Sequence, residues 1–286
     1  MRRTRGLSNH LGGRRAAVAM LFCAGVAASP ARAQGVFLRV HPRQGDTLRT
    51  RLDQQTEVSG TLRGTAGPTA RSVTTSVRLD SRTIVQASLA TSTVVLTIVD
   101  SVDIHTTDEH AATLVAEAER RLRGQQLVLR LALDGTVESA SDARGMAVSR
   151  AVAEAMAAMP AIFPHRALGV GDEWVREMPL PAGGPLGTKG SGRVSATFRL
   201  DSLDRSGNMA YLSMRGEVKP DSGSDEVKLT GTITGAMQVD RARGWMTDSR
   251  VTVLLRSLVT PPASSGLAPM RFVTRVTQRL RTMDKR

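Results

Sequence analysis

Apolar and polar side chains alternate with a period of two through most of this chain, the mark of strands with one face buried. Val227, Leu229, Gly231, Ile233, Gly235, Met237 and Val239 share one face, with Lys228, Thr230, Thr232, Thr234 and Gln238 on the other. Val73, Thr75, Val77 and Leu79 alternate in the same way, as do the leucines at 127, 129, 131 and 133. Further runs are Val194, Ala196, Phe198 and Leu200; Ala210, Leu212 and Met214; and Phe272, Val276 and Leu280 between Arg271, Arg275 and Arg279. One-sided alternation predicts antiparallel sheet with one wet face.

Two stretches read as helices. Thr106 and Glu109 have capping-box spacing, Leu114, Val115, Ala118 and Leu122 form a stripe, and Gly124 is placed as a stop. Glu117 with Arg121, and Glu119 with Arg123, are spaced for i,i+4 ion pairs. A second helix is predicted from Asp142 to Met159, with Val148, Val152, Ala155, Met156 and Met159 on one side and Pro160 closing it. The expected fold is α+β: a large curved antiparallel β-sheet, half-barrel-like, with both helices packed on its concave face. Val73–Ser81 resembles Val194–Ser202, and the pairs Gly45-Asp46 and Gly171-Asp172 precede the two copies. That likeness suggests two related halves, 34–160 and 161–286; chance similarity of amphipathic strands explains it about as well.

The N-terminus changes the picture. Arginines at 2, 3, 5, 14 and 15, an apolar run Ala16–Ala28 and an Ala31-Arg-Ala33 site form the three regions of a secretory leader. The run is short of the roughly 20 residues a spanning helix needs. Cleavage after Ala33 is expected, leaving an exported domain 34–286, periplasmic or extracellular. Cys23 lies in the leader and follows Phe22, where lipidation wants a small residue, so the mature chain has no cysteine and no disulfide.

Charge and aromatic content exclude more than they suggest. The formal charge of +13 falls by about half with the leader, and the remaining arginines are scattered rather than clustered. Aromatic residues are 3% of the chain, too few for stacking platforms or for the girdles of an outer-membrane barrel. Nucleic acid is not an expected partner, nor is the mature domain expected to be integral to a membrane.

Residues Phe163-Pro164 through Gly169-Val-Gly-Asp-Glu-Trp174, ahead of a strand meander, resemble a family of uncharacterised exported bacterial proteins. In that family a Pro…Val-Gly-Asp-x-Trp stretch precedes the second half of the sheet. The resemblance implies architecture over most of the mature chain and no activity. At the level of shape alone, long curved strands with helices over one face resemble the half-barrel lipid and lipoprotein carriers of the envelope, LolA-like and LppX-like.

Candidate chemistry is sparse. Asp103, His105 and His110, near Asp108 and Glu109, are the best metal-like group, but a strand-to-helix junction accounts for them, and no metal or other cofactor is expected. Gly183–Gly192 has the glycines of a phosphate loop, yet its Lys189 precedes Gly190 rather than Ser or Thr, so it reads as a linker. No hydrolase motif is present, and a hydrolase assembled from distant residues is the third reading. Trp174 and Trp245 read as core plugs. Glycines at 231 and 235 on an apolar face predict a bend. Either the helices fill it, or Val227, Leu229, Gly231, Ile233, Gly235 and Met237 line a trough for a lipid or other hydrophobic molecule. The leading expectation is therefore a non-catalytic envelope protein binding a hydrophobic ligand. The alternative is an envelope protein-interaction module presenting Arg271, Arg275 and Arg279.

Overall fold

A computed structural model describes residues 35–64, 67–148, 162–180, 192–220, 227–260 and 269–283. The leader, most of the second predicted helix and the loop 181–191 lie outside them. Eleven strands form one antiparallel sheet: β1 (Thr47–Gly64), β2 (Gly67–Ser88), β3 (Ser92–Thr106), β4 (Gln126–Ala132), β5 (Val137–Asp142), β6 (Glu173–Leu180), β7 (Gly192–Leu203), β8 (Met209–Pro220), β9 (Val227–Asp240), β10 (Trp245–Val259) and β11 (Met270–Met283). Their order is β5-β4-β3-β2-β1-β11-β10-β9-β8-β7-β6. Two meanders, β1–β5 and β6–β11, are thus joined by pairing the first strand with the last, Leu52 opposite Leu280 and Gln54 opposite Gln278.

The sheet curls until its ends approach. Val36 exchanges backbone hydrogen bonds with Leu168, just ahead of β6, while the Val40 amide donates to Leu133 beyond β4. Laid flat, nine inter-strand spacings would separate β4 from β6 by roughly 43 Å. Four residues of extended chain span at most about 14 Å. The strap 35–42 can make both contacts only if the sheet is rolled at this end. The same strap donates from the His41 amide to Gly244 in the β9–β10 turn. Ile162 and Phe163 donate to the Asp134 carbonyl, and the Trp174 indole donates to Ile162 at 2.8 Å. Edge strands β5 and β6 are not paired with each other, so the roll has a seam.

Val36, Leu38, Phe163 and Leu168 plug the rolled end and pack with Trp174, Phe198, Leu200, Leu212 and Val239 in the main core. Trp174 stacks on Phe198, with ring centroids 5.6 Å apart. Each of these large side chains, fully buried, is worth about 1.5–3 kcal/mol. Trp245 packs beside a smaller cluster of Val85, Val95 and Leu131.

The predicted helix placement needs correction. Among the described residues there is a single helical segment, a 3-10 turn Glu109–Ala111 continuing into α1 (Ala112–Leu122), and it is not on the concave face. Its main contact with the sheet is β3, and Leu114 is 68% exposed. The physical reason is a bare strand edge: β4 pairs with β3 only from Ser92 to Ile98. Beyond that point α1 runs back along β3, and the Glu119 carboxylate accepts the Ile104 amide at 2.8 Å. Glu119 therefore binds the edge rather than Arg123. The Glu117–Arg121 pair does form. No capping box forms either. Asp108 accepts the His110 amide, and Thr106 ends β3. Gly124 stops the helix with a φ of 75°. For the second helix, Asp142 ends β5 and its carboxylate accepts the Arg144 and Met146 amides in a turn; the predicted remainder from residue 149 lies outside the described residues.

The Gly-Asp pairs make matching turns. Gly45 and Gly171 have φ of 88° and 93°. Each donates to a second-strand carbonyl, Val85 or Leu200, whose own amide returns to the carbonyl of Asp46 or Asp172. Each aspartate also accepts a backbone amide three residues before it. Aligned on these turns, Val194 stands where Leu79 does, not Val73. The turns correspond in structure, while the nine-residue likeness is out of register.

Candidate functional site on the inner face

Strand pairing sorts the side chains of the central strands cleanly. On β10, β11, β1 and β3, and on β2 from Val73 to Val85, every inner-facing side chain is uncharged. Moving away from the plug, rows of side chains cross the sheet. Thr282, Thr50 and Ser81 make a hydroxyl row in which Thr50 and Ser81 share a 2.7 Å hydrogen bond. Next comes an aliphatic row of Leu280, Leu52, Leu79 and Val102. Gln278 and Gln54 stand side by side in the third row, flanked by Val251 and Val77. The Gln54 amide nitrogen donates to Thr56 at 3.4 Å.

Most of these inner side chains, Leu52, Leu79, Leu280 and both glutamines among them, are only half-buried. The core under β7–β9 is different, with Leu200, Leu212 and Val239 at 2% exposure or less. An apolar face thus runs from a packed end into a more accessible central stretch.

The outer face of the same strands is ionic. Arg51 binds Asp80 at 2.7 Å, and Ser101 donates to the same carboxylate. Arg78 and Arg281 both reach Asp53, at 3.0 and 2.9 Å, and Arg279 reaches Asp248 at 2.8 Å. The Asp80 carboxyl is held below its ordinary value chiefly by the hydrogen bond from Arg51, against some desolvation. For Asp53, desolvation is the largest single influence and pushes upward. The bonds and charges of Arg78 and Arg281 together outweigh it, and its carboxyl also lies low. A shallow groove of about 390 Å³ on this face is lined by Asp53, Arg78, Asp103, His105 and Arg279.

The six residues singled out on β9 do share one face. Leu229 and Met237 are buried in the main core and Ile233 packs against it; for Val227 only the backbone position is described. A Cβ at Gly231 would strike the Leu254 carbonyl and approach Leu255 Cδ2 to 2.8 Å. At Gly235 it would meet the Arg250 carbonyl at 2.7 Å and Met214 Cε at 3.0 Å. The glycines therefore mark close approach, and the neighbours they admit are side chains of the sheet itself rather than of a helix. The accessible part of the face lies further along, on β10, β11 and β1–β3. Sequence order gave little sign of it, because β1 and β11 are adjacent only after folding. The strap carries a short alternation of its own, Val36, Leu38 and Val40 against Phe37 and Arg39.

Asp103 and His105 lie on the outer face of β3, 3.5 Å apart and both well exposed. His110 is apart from them in the 3-10 turn, and among the described residues no three His, Cys, Asp or Glu side chains gather as a metal would require. The arginine strand β11 is central, so its charges do not guard an edge. Arg279 is bound to Asp248, and Arg275 stands opposite Glu57.

A family model, described as a family of unknown function (DUF6263), matches residues 145–246. The likeness to an uncharacterised family is thereby shown, with the Phe163–Trp174 stretch inside it. The match covers less than expected, reaching from ahead of β6 to the start of β10 and leaving β1–β5, most of β10 and β11 outside. None of the curated proteins matches the chain. Among solved structures, DynF from the dynemicin biosynthesis pathway of Micromonospora chersina is 10% identical, covering 96% of this chain and 94% of its own, with a TM-score of 0.22. The outer membrane protein AlkL, determined in lipid bilayers, is 8% identical over 85% and 92%, TM-score 0.15. OprG, an outer membrane protein of Pseudomonas aeruginosa, is 9% identical over 86% and 98%, TM-score 0.14. At such TM-scores the fold rests on this chain's own hydrogen bonding.

Proposed function

We propose that this protein is a non-catalytic, exported carrier that holds a hydrophobic or lipid-like molecule against the inner face of its rolled sheet. The observation that carries the reading is the half-buried leucine row Leu280–Leu52–Leu79, ending on the buried Val102, along a stretch of the face without charge. Apolar surface left partly accessible beside a packed core is what a binding site for an apolar ligand offers. The outer ionic ladder supports a water-facing exterior. An arginine on a lipid-facing strand costs about 2–4 kcal/mol at the bilayer midplane, and Arg51, Arg78 and Arg279 all lie within strands. Export rests on the leader, with the mature chain starting after Ala33. The halves 34–160 and 161–286 are proposed as related units of one sheet, supported by their matching Gly-Asp turns.

Native mass spectrometry of protein purified without detergent from a bacterial envelope fraction tests the proposal. The expected result is a reproducible added mass that organic solvent removes and lipid analysis identifies. A bare chain that takes up nothing when lipids are offered overturns it.

A further inference from the structure

We infer that the molecule held on the inner face is an uncharged amphiphile, with an aliphatic body and a neutral hydrogen-bonding head such as an ester, amide or hydroxyl group. The inference rests on the carrier reading. Two features of the face carry it together. The first is the absence of any compensating charge. Along the rows from Thr50 to Gln54 the ionisable groups of the surrounding strands, Arg51, Asp53, Arg78, Asp80, Arg279 and Arg281, point outward and several are bound to one another there, while the inner-facing Arg71, opposite Gly60, and Arg176, opposite Ala196, lie outside these rows. A carboxylate or phosphate drawn down among Leu52, Leu79 and Leu280 would lose water and find no counter-ion, which is costly for an ionised group. An ammonium would meet the same obstacle, since the nearest acids are on the other side of the sheet.

The second feature is the pair Gln54 and Gln278. They face each other across the β1–β11 pairing, one row from the leucines, with Val77 and Val251 on either side. A carboxamide offers two N–H donors and a carbonyl acceptor, so the pair presents both kinds of partner at one place. Gln54 commits one donor to Thr56. Two adjacent carboxamides in the middle of an apolar face are a poor choice for packing alone. They suit a head that both donates and accepts and carries no charge. The leucine row then takes the chain, which lies along the strands toward the hydroxyls of Thr50 and Ser81.

The test compares two ligands with the same chain, 1-monolaurin and laurate, displacing the fluorescent probe N-phenyl-1-naphthylamine from the purified protein. At about pH 8 the laurate carboxyl is fully ionised. Monolaurin is expected to displace the probe at a concentration at least about tenfold lower than laurate, a difference of about 1.4 kcal/mol. In a Gln54→Leu/Gln278→Leu variant, checked for folding by circular dichroism, the concentration of monolaurin needed is expected to rise by about threefold or more as its head loses its partners, with laurate still the weaker ligand because its carboxylate still lacks a counter-ion; an unchanged monolaurin concentration overturns the inference. Equal or tighter displacement by laurate overturns the inference and leaves the carrier reading standing. A probe that binds and is released by neither ligand overturns the inference too. Failure of probe and both ligands to bind overturns the carrier reading with it.

Discussion

Gly244 shows how much the rolled end asks of a single residue. Its φ is 61°, and a Cβ there would lie 2.6 Å from the His41 carbonyl carbon and oxygen. It also accepts the His41 amide, so strap and β9–β10 turn meet backbone to backbone. Gly45 shares the left-handed conformation, with φ of 88°, but a Cβ there meets nothing within 4 Å. The two positions separate conformational strain from the clash with the strap. Gly45→Ala is expected to cost about 1 kcal/mol by denaturant midpoint, and Gly244→Ala roughly 1–3 kcal/mol more. In hydrogen exchange the His41 amide should lose protection in Gly244→Ala alone. Equal costs for the two variants would show that the strap is not pressed against this turn.

At the scale of elements, the central strands join an uncharged inner face to an ionic outer one, and pH acts on the outer one. Asp80 and Asp53 have carboxyls below the ordinary value of 3.8. The unfolded chain therefore takes up protons first as the solution is acidified, and stability rises with pH through that range. Their contribution is complete above the unfolded value and is lost as pH falls below about 4. These pairs are partly exposed, with Asp80 and Arg51 side chains 25% and 34% exposed, so each is worth about 1 kcal/mol or less. Urea midpoints should be level between about pH 7 and pH 5 and drop below about pH 4, with a smaller drop in Asp80→Asn. A midpoint that falls steadily from neutral pH would mean that other groups govern acid stability. Six of the eleven strands, β2, β4, β7, β8, β9 and β11, were legible from the sequence because a period of two runs through them, whereas β3 and β10 carry register shifts that break it. The helix position was not: Thr106 and Glu109 have capping spacing, but Thr106 is taken by the end of β3 and the bare edge beyond Ile98 draws α1 to it. A one-residue alternation count also says nothing about which strands become neighbours. The site therefore read as β9, where the face is packed, rather than the β11–β1 junction, where it is accessible.

For the whole molecule, the arrangement is a sheet turned inside out relative to a membrane barrel. On the central strands around Leu52 charges face out and hydrocarbon faces in, the strap and the Ile162–Leu168 segment fill one end, and the seam between β5 and β6 is not hydrogen-bonded. The two Gly-Asp turns correspond at the rolled end: each meander begins there and is tied to its own second strand at once. The central claim is that the inner face at Leu52 holds the ligand. The only cysteine, Cys23, lies ahead of the folded domain in the predicted leader, so single cysteines can report position. The decisive measurement places a fluorophore at Leu52→Cys on the inner face and, separately, at Gln55→Cys on the exposed outer face. Each is then titrated with a nitroxide-labelled lipid chain. Saturable quenching at position 52, with position 55 unaffected, is the predicted result. Equal quenching at both positions, or none at 52, contradicts the account.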